Sequence, residues 1–267
     1  NVLAGRYPPE RSACRLRRVG WFFLVEVQLF GSPNSTTDSI ILLNFNILDL
    51  GECEMKYIDK AHWSRKNHFD YFRTFSYPHF NLRANMDITL FSHFVKQQKL
   101  SFFAAFLYVA SRAANAIPEF RYRIRGEDIV EHDEVTPSVT VLTRHDTFSY
   151  VAIPWQEDFH AFVADARTRT QAAKNGDACI EDEPGRDDLL YVTSIPWVSF
   201  TSLTHPIQMN PVDSIPRISW GKYFPQGDRT LLPLSVQGHH ALLDGLHVGQ
   251  YFAWVQEWLD TPEKRAK

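Results

Sequence analysis

From Met55 onward, hydrophobic positions switch between a strand-like period of two and a helix-like period near 3.6. Residues 60–73 read as a helix, with Trp63, Phe69, Phe72 and His62 on its apolar faces. A strand follows over 81–88 and a short helix over 89–96. The stretch 102–116 is a long apolar helix carrying Phe102, Phe103, Phe106, Leu107, Val109 and Ala113, and Pro118 stops it. Strands are predicted at 121–124, 129–131, 139–143 and 148–153, then a helix over 158–170. The charged segment 181–188 holds Pro184-Gly185 and reads as a loop. Further strands are predicted at 190–194, 199–203, 215–223 and 230–237. A terminal amphipathic helix carries Leu246, Phe252, Val255 and Leu259. Strands stand beside helices without strict βαβ alternation. That pattern predicts an α/β two-layer sandwich, a mixed sheet covered by helices.

Residues 1–54 do not continue this pattern. They hold Cys14 and Cys53, a basic cluster at Arg11, Arg15, Arg17 and Arg18, and an apolar run from Trp21 to Val25. Glu26 and Gln28 interrupt that run, so it makes a poor signal-peptide core, and it is far shorter than the roughly 20 apolar residues of a membrane span. Gly51-Glu52 can be encoded by a purine-rich ribosome-binding sequence just ahead of the Met55 codon. We therefore expect 1–54 to be a non-native or disordered extension, in the form of translated upstream sequence, and 55–267 to be the functional domain. The competing reading is a real but divergent N-terminal segment.

Composition narrows the function classes. A net charge of −3 gives no basic footprint for nucleic acid. Aromatic residues make up 14% of the chain, which favours a flat-sided apolar pocket or a large interface. Cys179 is the only cysteine after Met55, so no disulfide framework forms within that domain. These features suit a cytoplasmic enzyme with no membrane segment.

The densest chemistry is His239-His240-Ala241-Leu242-Leu243-Asp244-Gly245, between a strand pattern and the last helix. Adjacent imidazoles at a strand-to-helix junction fall on opposite sides of the backbone, so one can face a cleft while the other packs. An imidazole with a pKa near about 6.5 can take a proton from a hydroxyl at neutral pH. Asp-Gly alone is an ordinary turn signal, and a His-His pair alone is more often surface than catalytic. Imidazole and carboxylate are both metal ligands, but no His-Glu-x-x-His helix and no paired Cys spacing accompanies them, so no metal is expected.

The complete pattern His-His-x-x-x-Asp-Gly resembles the signature of the CoA-dependent acyltransferase superfamily, which includes chloramphenicol acetyltransferases and peptide-synthetase condensation domains. Condensation domains are about twice this length, whereas 267 residues suit one α/β domain. Other segments are similar to the chloramphenicol acetyltransferase family in its order. They are Trp63-Ser64-Arg65-Lys66-Asn67-His68-Phe69, Met86-Asp87-Ile88-Thr89, Ile117-Pro118-Glu119-Phe120-Arg121, Thr147-Phe148-Ser149, Ile195-Pro196-Trp197-Val198-Ser199-Phe200 and Gly221-Lys222-Tyr223. Met86 to Thr89 corresponds there to an inward strand.

The resemblance implies transfer of acetyl from acetyl-CoA to a hydroxyl acceptor through a ternary complex, with no metal. It gives His240 the role of general base and His239 a structural one. Asp244 could orient His240 as in Ser-His-Asp enzymes, but the resemblance pairs it with Arg65 to fix the turn, and that reading is preferred. Thr193 stands where the family has an oxyanion-stabilising Ser, and Ser194 would point to the other face of the strand. Phe72, Thr140, Phe148 and Ser219 fall around the acceptor, and Trp197 and Tyr223 along the CoA tunnel. Tyr77-Pro78-His79-Phe80, His205 and the loop 181–188 depart from the usual pattern. The expected function is chloramphenicol O-acetylation giving antibiotic resistance. The alternatives are the same reaction on another hydroxyl compound, or an inactive ligand-binding relative. A homotrimer is implied, with His240 of one subunit facing its neighbour's acceptor pocket.

Overall fold

The computed structural model describes residues 15–19, 22–26, 55–176 and 186–266. The chain divides into two units, Asn1–Gly51 and Glu52–Lys267. In the first, β1 (Arg15–Val19) pairs antiparallel with β2 (Phe22–Glu26), the latter drawn from the apolar run. The rest of 1–54, with Cys14, Cys53 and the proposed start-site context, lies outside the described residues. So do Cys179 and most of the charged loop at 181–188.

The second unit opens with β3 (Met55–Tyr57), α1 (Lys66–Phe72), β4 (His79–Asp87), α2 (Thr89–Gln97), α3 (Phe102–Asn115) and α4 (Pro118–Arg121). It continues through β5 (Tyr122–Arg125), β6 (Asp128–His132), β7 (Thr136–Leu142), β8 (Phe148–Ala152) and α5 (Phe159–Asn175). It ends with β9 (Leu189–Ile195), β10 (Arg217–Gly221), β11 (Phe224–Gln226), β12 (Arg229–His239), α6 (Gly245–Asp260) and α7 (Pro262–Arg265). The large sheet has seven strands, in the order β4-β12-β10-β9-β7-β8, with β11 in a hairpin beside the start of β12. β9 runs parallel to β7 and β10, and the other pairings are antiparallel. A small sheet, β3-β6-β5, stands apart. This is the mixed-sheet α/β sandwich expected from the pattern.

Alternation decides which face the helices cover. Leu232, Leu234 and Val236 of β12, Ile218 and Trp220 of β10, Val192 of β9 and Val139 and Val141 of β7 are buried in one core with α3, α5 and α6. Apolar almost all round, α3 sits inside that layer, and Phe106 meets Trp220 edge-on at 5.0 Å. Its first turn is capped by Ser101, whose Oγ accepts from the Ala104 amide. The other sheet face is polar. Ser138, Arg217, Ser219, Ser235 and Gln237 are all buried there.

Arg123 is fully buried and donates to the carbonyls of Phe120, Tyr122, Asp187 and Leu189, tying the small sheet to the start of β9. Burial pushes its pKa down to about 10, which leaves it charged at neutral pH.

Four expected elements differ. The helix placed at 60–73 is helical only over α1, because Asp59 turns the chain before it, accepting from the Ala61 amide. The strand placed at 199–203 is irregular: Ser199 Oγ donates to the Lys222 carbonyl, and the chain then runs to the polar face of the sheet, where the His205 amide donates to Gln237 Oε1. The strand at 215–223 breaks after Gly221 and resumes as β11. The segment Met86 to Thr89, matched to an inward strand, straddles a boundary. β4 ends at Asp87, whose Oδ1 accepts from Thr89 at the start of α2.

Candidate active site

β12 delivers the two histidines differently. His239 is its last residue, paired with His79 of β4 on the polar face, and is 1% exposed. Its Nδ1 accepts from the Ala241 amide, and burial, with the charges of His79 and His240, pushes its pKa down to about 3. His239 is therefore a neutral packed ring. His240 lies just past the strand, where its amide donates to the Pro78 carbonyl at 2.7 Å and extends the ladder by one bond. Its ring stacks on Phe72 with centroids 4.0 Å apart and 7° between planes, and lies 4.7 Å from Phe80. Nδ1 is buried without a partner, which leaves Nε2 as the ring nitrogen open to a ligand.

The turn after His240 is held from two sides. Asp244 is the N-cap of α6, and its Oδ1 accepts from the Leu246 amide. Its Oδ2 takes a 2.6 Å hydrogen bond from Arg65 Nη1, while Arg65 Nη2 reaches the His240 carbonyl at 3.5 Å. Burial works to raise the Asp244 pKa, but Arg65, the Leu246 amide and His247 outweigh it and hold the carboxyl below its ordinary value. The partners of the carboxylate are thus Arg65 and the start of α6, not the His240 ring. α1 brackets the histidine, with Arg65 at its N-cap and Phe72 in its last turn.

Thr193 and its expected neighbours lie elsewhere. Register places Thr193 of β9 beside Ser219 of β10, with Thr140 of β7 next in the row. Thr140 donates to the Thr193 hydroxyl at 3.4 Å, and His205 Nε2 lies 2.6 Å from Ser219 Oγ. Burial and then Arg217 push His205 down to about 4, so it is neutral. Ser194 is paired with Trp220 and faces the helices. This hydroxyl row runs across the polar face of the sheet, whereas His240 emerges on the side of Phe80, the partner of Gly238. Among the described residues, no hydrogen bond or ring contact joins the two groups. Of the expected acceptor residues, Phe72 is with His240, Thr140 and Ser219 are with Thr193, and Phe148 stands 49% exposed on the edge strand β8. Trp197 and Tyr223 are also exposed, with Tyr223 5.8 Å from Phe102.

The pattern of the sequence does not single out His247, and it marks Phe80 only as part of the departing segment 77–80. His247 has a local signal, Asp-x-x-His at the start of a helix, where a capping box ordinarily has Glu or Gln. Among the described residues, no group of three or more His, Cys, Asp or Glu could hold a metal ion. No described helix is long and apolar enough to cross a membrane.

Comparison with known proteins agrees with this geometry. A family model described as chloramphenicol acetyltransferase matches residues 53–256. A chloramphenicol acetyltransferase of Klebsiella sp is 33% identical over 204 residues, 76% of this chain and 93% of its own length. One of Bacillus pumilus is 30% identical over 210 residues, covering 76% and 92%. A solved structure named chloramphenicol acetyltransferase superposes with a TM-score of 0.71 at 29% identity, covering 77% of this chain and all of its own. A dihydrolipoamide acetyltransferase of Azotobacter vinelandii shares the fold alone, at 16% identity and a TM-score of 0.55. The sheet order, the capped His-His-x-x-x-Asp-Gly turn and these matches establish that the chain belongs to the chloramphenicol acetyltransferase family, whose members are acetyl-CoA-dependent acyltransferases.

Proposed function

We propose that this protein is a chloramphenicol O-acetyltransferase, with His240 as general base and the Thr193 hydroxyl as donor to the developing oxyanion. The observation that carries the reading is the setting of His240: a ring stacked on Phe72 and in contact with Phe80, with Nδ1 buried and Nε2 open. A base held in this way can take the proton of an acceptor hydroxyl as the acetyl carbonyl is attacked. The oxyanion then needs a preorganised donor, and Thr193 offers one within a row of hydroxyls. His240 and Thr193 leave the sheet on opposite faces, so base and donor meet only when they come from different copies. Sites shared between copies fit the closed homotrimer that the family resemblance implies. Trp197 and Tyr223 would line the path of CoA, and Phe72, Thr140, Phe148 and Ser219 the acceptor pocket. Acetyl-CoA is the donor, the reaction is cytoplasmic, and its consequence is antibiotic resistance.

A second reading has its own observation. His205 on Ser219, and Tyr77 accepting from Gln237 at 3.2 Å, add polar groups beside the expected acceptor residue Ser219. These favour another hydroxyl compound as acceptor with the same chemistry, since changes in pocket lining alter substrate more readily than mechanism.

The test follows thiol release from acetyl-CoA with and without chloramphenicol. Drug-dependent release is expected, and His240→Ala should lower kcat by about 10²-fold or more. Turnover only with other hydroxyl compounds would move the acceptor. Silence with all of them would refute the enzyme reading. Protein begun at Met55, run in parallel, should match the full chain if 1–54 are translated upstream sequence.

A further inference from the structure

We propose that His247 is a positioning residue for His240, acting through Asp244 and Arg65. The proposal rests on the reading of His240 as the base. His247 is buried at the third position of α6. Its Nδ1 accepts the Asp244 backbone amide at 3.1 Å, while the Asp244 side chain caps the helix in return. The same nitrogen is 3.1 Å from Asp244 Oδ1, a carboxylate oxygen that would draw a ring proton to Nδ1. A neutral ring that accepts at Nδ1 carries its proton on Nε2, and that nitrogen faces Glu119 Oε1 of α4 at 3.4 Å. Glu119 is thereby placed to hold the ring proton on Nε2 against the pull of Asp244 Oδ1, which keeps Nδ1 free to cap.

The consequence reaches the base by a short route. The amide and Oδ1 of Asp244 are both committed to the α6 cap, which fixes the direction of Oδ2. Oδ2 holds Arg65 Nη1, and Arg65 Nη2 contacts the His240 carbonyl. Arg65 also starts the helix whose last residue, Phe72, stacks on the His240 ring. A displaced Asp244 would therefore move both the backbone and the ring of His240. Displacements near 1 Å can cost about 10²-fold in rate.

The test compares His247→Leu, His247→Gln and Glu119→Ala in the full chain. Leu keeps apolar bulk but cannot accept a hydrogen bond. Gln can, and is the ordinary residue at this position of a capping box. We expect Leu to lower kcat by about tenfold with KM for acetyl-CoA within about twofold, and Gln to recover to within about threefold of wild type. Glu119→Ala should lower kcat by about threefold, since it frees the tautomer and keeps the cap atoms. The readout independent of acceptor is the ring nitrogen signal of His240 in histidine-15N-labelled protein, assigned by its loss in His240→Ala. It should shift in Leu and Glu119→Ala and return in Gln. Unmoved His240 signals with wild-type kcat in Leu would overturn the proposal, as would Gln falling as far as Leu. If Leu fails to fold, an unshifted His240 signal in Glu119→Ala overturns it. An inactive wild type would refute the proposed function, and the nitrogen signals would still decide this one.

Discussion

Two neighbouring histidines of one sequence differ in chemistry because they differ by one step of a strand. His239 sits inside the sheet pairing and is kept neutral by burial, whereas His240 has just left the strand and retains an open nitrogen. Asp244 belongs to the same scale. Its carboxylate is bound to Arg65 and the α6 cap rather than to the His240 ring, so its loss should act through placement. Asp244→Asn is expected to lower stability at pH 7 by about 1.5–3 kcal/mol, the range for a hydrogen bond to a charged group, together with kcat. The folded pKa of Asp244 lies below its ordinary value, so this stabilisation is complete above the unfolded pKa of about 3.9 and is lost as pH falls through the folded value. Melting curves of wild type and variant should accordingly begin to converge below about pH 4 and meet once pH is below the folded value. Unchanged melting with abolished turnover would instead give Asp244 a direct part in proton transfer.

At the scale of elements, close backbone approach does what side chains cannot. Gly221 ends β10 where the chain 198–200 passes over it. A Cβ there would lie 2.6 Å from the Val198 carbonyl and 2.9 Å from the Pro233 ring. The Val198 carbonyl cannot simply yield, because it accepts from the Lys222 amide at 2.9 Å. Gly221→Ala should therefore cost about 1–3 kcal/mol, the usual penalty for overpacking. Thermal melting checks it, and a shift under about 1 °C would show that the segment relaxes freely. Gly238 meets a softer neighbour. A Cβ there would approach Leu243 Cδ2 at 2.8 Å, where the turn after His240 folds back over β12.

The whole molecule poses the question of how base and oxyanion donor meet. One chain leaves His240 on the side of Phe80 and Thr193 in the hydroxyl row of the polar face. If neighbouring copies complete each site, His240→Ala and Thr193→Val should each be nearly inactive alone. A refolded equimolar mixture should then recover up to about a quarter of wild-type turnover, the statistical share of interfaces with both residues intact. No recovery, with mixed oligomers shown to form, would place both residues in a single chain's site.

The short-range pattern of the chain determined most of the second unit. Alternation in β12 and β9, the apolar run of α3 with its Ser101 cap, and the strand-to-helix turn at His239 to Gly245 all depend on residues close in sequence. The separation of Thr193 from Ser194 followed from strand alternation alone. Short motifs in a fixed order were enough to carry the resemblance to the family, because each is a contiguous run of residues. What depended on distant partners was decided only by the tertiary structure. Residues 199–203 have strand-like composition but lie where they must clear Gly221 and run to the polar face of the sheet. His247 is an ordinary helix residue until Glu119 comes within 3.4 Å from across the fold. Of the residues expected around the acceptor, Thr140, Ser219 and Phe148 share one face of the sheet by register, whereas Phe72 stands on α1 beside His240, because register and strand order, not spacing, decide which side chains share a face.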